Sequence, residues 1–303
     1  MILQVRLYEE GSQRMSRTTG EKIFGVVNII FMLILMAATL YPLYYVVIAA
    51  ISNPMAVSMG NVTVWPQGLV LDSFKKVVSM DNIWTAYGNT IFYSVVGTAI
   101  SMTLTILGGY PLSKRRLNGR KTITIFILVT LWFNAGMMPT YLNFQNLGLI
   151  DTRLGILLCF AVDTFYVILM RTFFENVPDS MEESAKMDGA NDWTILTRIY
   201  LPLSLPALAT LTMYYFVGRW NAYFWSMLLL RNQDLVPLQV LLKKLIVEVS
   251  YNNNETFDMS ANVMTEQTIV YATIVVAVLP MLVMYPFIQR FFIKGIMVGA
   301  IKG

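Results

Sequence analysis

Residues 183–190 read Glu-Ser-Ala-Lys-Met-Asp-Gly-Ala, and Ile199, Leu201 and Pro202 follow them at short intervals. This stretch is polar, whereas the segments on both sides of it are long and apolar. A polar stretch between two apolar runs indicates a connection that lies outside the apolar solvent of its neighbours. The fold therefore depends on whether the apolar runs cross a membrane and on which side of that membrane this connection lies.

The polar stretch also predicts its own local structure. Ser180 and Glu183 have the spacing of a capping box, which starts a helix by satisfying two backbone donors. Gly189 is expected to end this short helix in a left-handed conformation. Asp192 is expected to cap a second helical turn, and Pro202 fits the first turn of the next long helix. The segment therefore predicts a helix, a sharp turn and a second helix.

The composition excludes an ordinary soluble protein. Of the 303 residues, 56% are hydrophobic and 13% are charged, against about 25% charged residues in a typical soluble domain. The sequence contains no histidine, which is the commonest general base and metal ligand. The single cysteine, Cys159, cannot form a disulfide within one chain. Neither a catalytic site nor a metal site is therefore indicated.

Six apolar segments are long enough to cross a membrane as helices, because about 20 apolar residues span a hydrocarbon core of about 30 Å. Lipid cannot satisfy exposed backbone groups, and the alternating pattern of a barrel strand is absent. We therefore expect an all-α, polytopic membrane protein with six transmembrane helices in contact with lipid. The segments comprise approximately residues 23–51, 87–112, 123–141, 154–174, 202–230 and 268–292.

The basic residues predict the orientation. With both termini in the cytoplasm, fifteen Lys and Arg residues fall in inner segments and six in outer segments. The run Lys114-Arg115-Arg116 alone favours a cytoplasmic second loop. The net charge of +4 is explained by this topology, so nucleic-acid binding is not expected.

The predicted topology divides the chain into three parts. Residues 1–22 form a cytoplasmic N-terminal segment, residues 23–293 a six-helix transmembrane domain, and residues 294–303 a cytoplasmic tail. The polar stretch, residues 178–202, is a cytoplasmic loop of the transmembrane domain. Two long outer loops, approximately 52–86 and 231–267, either face a substrate-delivery protein or act as plain connectors.

The spacing of the polar stretch resembles the EAA loop of ABC importer permeases, on which an ATPase subunit docks. The one departure is Ser184, where the family usually has alanine, and serine is small enough to keep the packing. The tail 291–303 is similar to the ending of the six-span subunit of the carbohydrate-uptake, maltose-type branch. Residues 284–290 and 237–239 are similar to the subgroup that imports oligosaccharides or polysaccharide fragments.

The resemblance implies a MetI-like permease fold in the bacterial cytoplasmic membrane. It also implies a second homologous permease, two ATPase subunits and an extracytoplasmic sugar-binding protein as partners. This chain has no phosphate-binding loop, so ATP and Mg²⁺ would be held by the ATPase subunits, and the chain is expected to be a transport subunit without cofactor or enzymatic activity. The residues that match the ATPase-docking motif are Glu183, Ser184, Ala185, Asp188, Gly189 and Ala190.

A sugar path is expected where polar and aromatic residues interrupt the apolar segments, because such groups usually face a bundle interior. Aromatic rings can stack on sugar rings, while Asn and Arg can bind hydroxyl groups or an acidic sugar. The same residues could instead form an interfacial aromatic belt, and Asp163 could pair with Arg219. The candidates are Arg219, Trp220, Asn221, Tyr223 and Phe224, with Asn134 and Asp163.

Two other functions compete with the importer. A secondary transporter driven by an ion gradient would need no ATPase and is expected to show internal repeats, which the sequence does not clearly show. A membrane-embedded enzyme would need a catalytic constellation, and no paired carboxylates or nucleophile and base appear in the apolar segments. Uptake after ATP depletion, compared with uptake after ionophore treatment, distinguishes the two kinds of transporter.

Overall fold

The computed structural model describes residues 19–133, 135–255 and 267–283, and every regular element within these ranges is helical. A single 3₁₀ turn, Gln233–Leu235, accompanies the helices. The helices are α1 Thr19–Ala50, α2 Pro54–Ser58, α3 Asp72–Val78, α4 Asp81–Ser113, α5 Arg120–Trp132, α6 Met137–Asn146, α7 Arg153–Leu158, α8 Thr164–Glu175, α9 Asp179–Met187, α10 Asp192–Leu203, α11 Leu205–Trp220, α12 Phe224–Leu229, α13 Leu238–Glu255 and α14 Gln267–Val283.

Two of these helices, α1 and α4, are individually long and apolar enough to cross a membrane. Two bent pairs, α5 with α6 and α10 with α11, would raise the number of crossings to four if each pair is one span. Helix α14 is apolar but shorter, and the rest of the expected sixth segment lies outside the described residues. The described residues therefore contain two to four helical units long and apolar enough to cross a membrane, while the count of six stays a prediction.

Helix α4 is the centre of the bundle and packs along both α8 and α11. Small residues permit this close approach, as they do in membrane helix pairs generally. A Cβ atom at Gly97 would lie 2.6 Å from the side chain of Arg219 on α11. A Cβ atom at Gly109 would lie 3.2 Å from the backbone nitrogen of Arg171 on α8. The two glycines therefore set the distance between α4 and its neighbours.

One apolar core joins the bundle to the polar loop. It is formed by buried side chains from α4, α8, α10 and α11. Ala185 and Ala190, on either side of the predicted turn, pack against it. The loop is thus seated on the bundle. The buried members of this core are Met102, Tyr110, Met170, Phe174, Val177, Ile195, Leu196, Tyr200, Leu211 and Tyr215.

The fourth and fifth apolar segments were expected to be continuous helices, and the structure corrects both expectations. The fourth is broken between α7 and α8, where Phe160 has a φ of 51° and the Asp163 side chain accepts the backbone N–H groups that start α8. The fifth is bent by 84° at Ser204 and broken again after Trp220. Irregular backbone at membrane depth is tolerated where it is buried in protein or lines a cavity.

Candidate functional site

The EAA loop (residues 178–202) has the predicted helix, turn and helix, but its caps differ from the prediction. Pro178 precedes α9 and makes no side-chain cap, so the capping box expected from Ser180 and Glu183 is wrong. Asn191, rather than Asp192, caps α10 by accepting the N–H of Thr194 at 2.8 Å. A proline before the first helical residue already sets the entry of the chain, so Ser180 falls inside the helix.

Gly189 forms the turn of the EAA loop as predicted, with a φ of +80°. Its N–H donates to the carbonyl of Lys186 at 3.0 Å, and the N–H of Ala190 donates to the carbonyl of Ala185 at 2.9 Å. These bonds satisfy the last carbonyls of α9. An L-residue with a Cβ would be strained here, because the left-handed region is unfavourable to it.

The motif residues of the EAA loop fall on two faces. Glu183, Ser184, Asp188 and Gly189 are exposed, whereas Ala185 and Ala190 are half-buried against the core. Two large apolar side chains accompany the exposed face, since Met187 and Trp193 are 88% and 65% exposed. The sequence prediction did not select them, although their position beside the motif could have signalled a contact surface.

Glu182 is the one acidic residue of α9 that is buried, and the sequence prediction did not select it as a site residue. Its carboxylate accepts a hydrogen bond from Lys114 Nζ at 2.5 Å, from Lys186 Nζ at 2.5 Å and from the Tyr200 hydroxyl at 2.8 Å. Arg116 lies 3.9 Å from the same carboxylate. Burial alone would raise the pKa of Glu182, but the hydrogen bonds from Lys114, Lys186 and Tyr200 lower it to about 2. Glu182 is therefore ionised at neutral pH.

A cavity of about 400 Å³ lies where the broken fourth and fifth segments meet. Five predicted sugar-path residues line it: Asp163, Arg219, Asn221, Tyr223 and Phe224. Half of the remaining lining residues are aromatic, and the sequence prediction did not select the tyrosines among them. The additional tyrosines are Tyr93, Tyr166, Tyr214 and Tyr215.

The two remaining predicted sugar-path residues are placed differently. Trp220 is 3% exposed and packs between Tyr87 and Phe216, at ring-centroid distances of 6.2 and 6.0 Å. It is not among the residues that line the cavity. Asn134 lies outside the described residues.

Arg219 stabilises the break between α7 and α8 in the fourth segment. Its guanidinium donates to the carbonyl of Ile156 at 3.3 Å, to the carbonyl of Leu157 at 3.1 Å and to Ser101 Oγ at 3.0 Å. The two carbonyls belong to the last turn of α7, which no longer has helical partners for them. In a membrane such carbonyls need an internal partner, and Arg219 supplies it.

Asp163 and Arg219 form no ion pair in the part of the chain that the structure describes. The Asp163 side chain instead accepts the N–H of Phe165 at 2.8 Å, which begins α8. The backbone N–H of Asp163 donates to the Tyr215 hydroxyl at 3.2 Å, and that hydroxyl is 2.8 Å from Thr105 Oγ1 on α4. The cavity wall is thereby tied to α4 by Tyr215 and Thr105.

An aromatic cavity between broken helices and a polar loop seated on the bundle are features expected of a membrane transport subunit. Residues 121–298 match the family described as "Binding-protein-dependent transport system inner membrane component". The chain belongs to this family, and it is a multi-pass inner-membrane permease of the ABC importer type.

Similar proteins cover almost the whole chain. The polygalacturonan/rhamnogalacturonan transport system permease protein YtcP of Bacillus subtilis is 38% identical over 93% of this chain and 99% of its own length. Protein LplC of Bacillus subtilis is 35% identical over 95% of this chain and 98% of its own length. A chain of a bacterial ABC transporter "involved in the import of the acidic polysaccharide alginate" is 42% identical, with a TM-score of 0.85 over 91% of this chain and 99% of its own.

Membership of the family decides between the functions that the sequence left open. The chain is a transport subunit and not an enzyme, because ATP hydrolysis in these importers belongs to partner ATPases. Its partners are a second permease, ATPase subunits and a binding protein. The alternative of a transporter driven by an ion gradient is therefore rejected in favour of an ATP-driven importer. The predicted MetI-like fold is confirmed.

Proposed function

We propose that the chain and a second permease form the membrane path of an ATP-driven importer of oligosaccharides or polysaccharide fragments. The observation that carries this proposal is the likeness to a permease of an acidic-polysaccharide importer, at 42% identity and a TM-score of 0.85. The polygalacturonan/rhamnogalacturonan permease supports the same class of cargo.

The chemistry of the cavity suits such a cargo. Tyr166 and Tyr214 stack at 5.9 Å and Tyr215 packs edge-on at 4.8 Å, so several aromatic faces and hydroxyls surround the space. Aromatic faces can cover the apolar faces of sugar rings, and tyrosine hydroxyls and Asn221 can bond to sugar hydroxyls. Arg219 keeps its Nε–H and one Nη1–H beyond those given to α7 and Ser101, and such a charged donor can form a hydrogen bond to a sugar carboxylate. We therefore place units of an acidic sugar in this cavity.

The EAA loop is proposed as the ATPase contact. Glu183, Asp188 and Gly189 are exposed on it beside Met187, so charge and apolar surface are available to a partner. This role requires residues 178–202 to face the cytoplasm, together with both termini, 1–22 and 294–303. ATP and Mg²⁺ are then bound by the ATPase subunits alone, and the outer loops face the binding protein.

Transport by the complete importer in proteoliposomes tests the proposed cargo. Complexes are supplied with ATP and with binding protein carrying labelled oligosaccharides, either rich in uronic acid or neutral and of equal length. We expect accumulation of the uronate oligosaccharides and at least about tenfold less of the neutral ones, because a site that bonds a group discriminates against a competitor that lacks it. Equal accumulation would refute the acidic class, and accumulation of neither would refute the carbohydrate cargo.

A further inference from the structure

Glu182 and Lys114 join the EAA loop to the inner end of helix α4. Each residue is 8% exposed, which is rare for charged side chains. Their atoms Oε2 and Nζ are 2.5 Å apart, although the two residues are 68 positions apart in the sequence. Lys114 follows the last residue of α4, and Glu182 lies in α9. The pair is therefore a contact between a loop helix and a long membrane helix.

The surroundings hold both charges in one arrangement. The Lys114 ammonium lies 3.5 Å from the ring centroid of Tyr200 and 4.2 Å from that of Tyr110. The Tyr200 hydroxyl donates to the same oxygen of Glu182 that Lys114 contacts. Cation–π contacts and charge-assisted hydrogen bonds are strongest where water is excluded. Removing one charge of such a pair leaves the other buried without compensation, which is strongly destabilising for that contact.

The other ion pairs around the EAA loop are more exposed. Arg116 pairs with Asp192, and both side chains are at least half-exposed, at 51% and 60%. An exposed pair contributes little, because solvent screens it. The contact between Glu182 and Lys114 is therefore the most buried ion pair of the loop in the described part of the chain.

Helix α4 carries this connection to the cavity. It is continuous from Asp81 to Ser113. Thr105 and Ser101, about 13 and 20 Å from Lys114 along the helix axis, contact Tyr215 and Arg219 of the cavity wall. One continuous helix thus touches the buried pair at its end and the cavity wall further along its length.

We propose that Glu182 and Lys114 are a positioning pair that transmits movement of the EAA loop to α4 and through α4 to the cavity. The inference rests on the proposed function, because it requires an ATPase to move α9. In this account α9 and α4 move together, and the contact between Glu182 and Lys114 persists through the transport cycle. Without this contact, α9 moves while the cavity wall does not, so ATP is hydrolysed with little sugar import.

The test compares Glu182→Gln with Asp179→Asn in the complete importer in proteoliposomes. Asp179 is an exposed residue at the start of the same helix, so the control removes the same charge from the same element. The readout is the number of sugar molecules imported per ATP hydrolysed. Loss of folded complex lowers import and hydrolysis together, so it leaves this ratio unchanged. We expect Glu182→Gln to lower this ratio at least about fivefold, as for an ordinary coupling free energy, and Asp179→Asn to leave it unchanged.

A second comparison covers the case in which Glu182→Gln assembles poorly. Lys114→Cys and Glu182→Cys are combined, and the assembled complex is measured before and after bridging with a short bis-thiol-reactive linker. Restoration of the ratio by the bridge supports the proposal. A wild-type ratio in the unbridged variant, or in Glu182→Gln, would overturn it. Absence of ATP-driven import in the wild-type complex would instead refute the proposed function.

Discussion

At the scale of single residues, the EAA loop separates two acidic neighbours into different roles. Glu183 is exposed and available to a partner, whereas Glu182 is buried and bonded within the chain. The difference arises because α9 turns one face to the bundle, so adjacent residues point in different directions. The proposed contact surface and the buried contact to α4 are therefore on the same short helix.

Gly189 supports a first prediction. Gly189→Val places a β-branched residue at a φ of +80°, where the left-handed conformation costs about 1–2 kcal/mol. Open space surrounds a Cβ atom at this position, so the effect is conformational and not a clash. We expect normal amounts in the membrane with ATP-driven uptake reduced about five- to thirtyfold, since about 1.4 kcal/mol corresponds to a factor of ten.

The matched control is Gly189→Asn, because asparagine tolerates the left-handed region better than a β-branched residue. Uptake by the asparagine variant should lie between those of the wild type and Gly189→Val. Equal uptake by all three proteins would show that the turn does not require glycine.

Glu182 supports a prediction about pH. Its pKa of about 2 in the folded protein lies below the ordinary value of 4.5, so its ionised form stabilises the folded state. This contribution is complete above about pH 5 and is lost as the pH falls from the ordinary pKa towards the folded one. The difference in thermal midpoint between the wild type and Glu182→Gln should therefore be constant near neutral pH and shrink towards pH 2.

Thermal unfolding of the purified protein in detergent, followed at several pH values, measures this difference. Asp179→Asn serves again as control and should show a smaller dependence. A difference between wild type and Glu182→Gln that grows as the pH falls would contradict the assigned ionisation.

Some residue roles could be predicted from the sequence, and others could not. The turn at Gly189 was predictable, because a left-handed turn has a strong local preference for glycine. The role of Glu182 was not, since its partner Lys114 is 68 positions away and only the fold brings them together. The tyrosines of the cavity escaped prediction for the same reason, because they come from α4, α8 and α11.

At the scale of elements, broken helices create the cavity. The fourth and fifth segments were predicted as continuous because their sequences are predominantly apolar and long apolar runs are read as helices. The break between α7 and α8 depends on long-range partners, namely Arg219 for the carbonyls of α7 and Tyr215 for the N–H of Asp163. Such partners leave no periodic signal in the sequence.

The packing of α4 on α11 supports a further prediction. Gly97→Ala puts a Cβ atom 2.6 Å from the Arg219 side chain, which three hydrogen bonds hold in place. We expect displacement of the guanidinium, a fall in stability of about 1–3 kcal/mol as for an overpacked core, and reduced sugar import. Thermal unfolding and uptake measure the two effects.

Gly88→Ala is the matched control on the same helix. No atom lies within 4 Å of a Cβ there, and alanine favours a helix interior over glycine. This variant should be as stable as the wild type or slightly more stable. Equal loss of stability in both variants would show that Gly97 does not set the approach of α4 to α11.

At the scale of the whole molecule, the chain has apolar surface that needs surroundings other than water. Helix α1 is apolar and exposed along most of its length, and its buried residues are confined to its last turn, at Ile48, Ala49 and Ala50. A helix that is hydrophobic all round needs lipid or another protein as its surroundings. This agrees with a permease that works in the membrane with partner subunits.

The most direct test of the account is sugar uptake by the reconstituted complex under two separate energy conditions. Proteoliposomes containing this chain, its second permease, the ATPases and loaded binding protein are given either ATP with ionophores or an ion gradient without ATP. The account predicts uptake with ATP even when ionophores collapse all gradients, and no uptake from the gradient alone. Uptake that follows the gradient and ignores ATP would contradict the assignment of this chain to an ATP-driven importer.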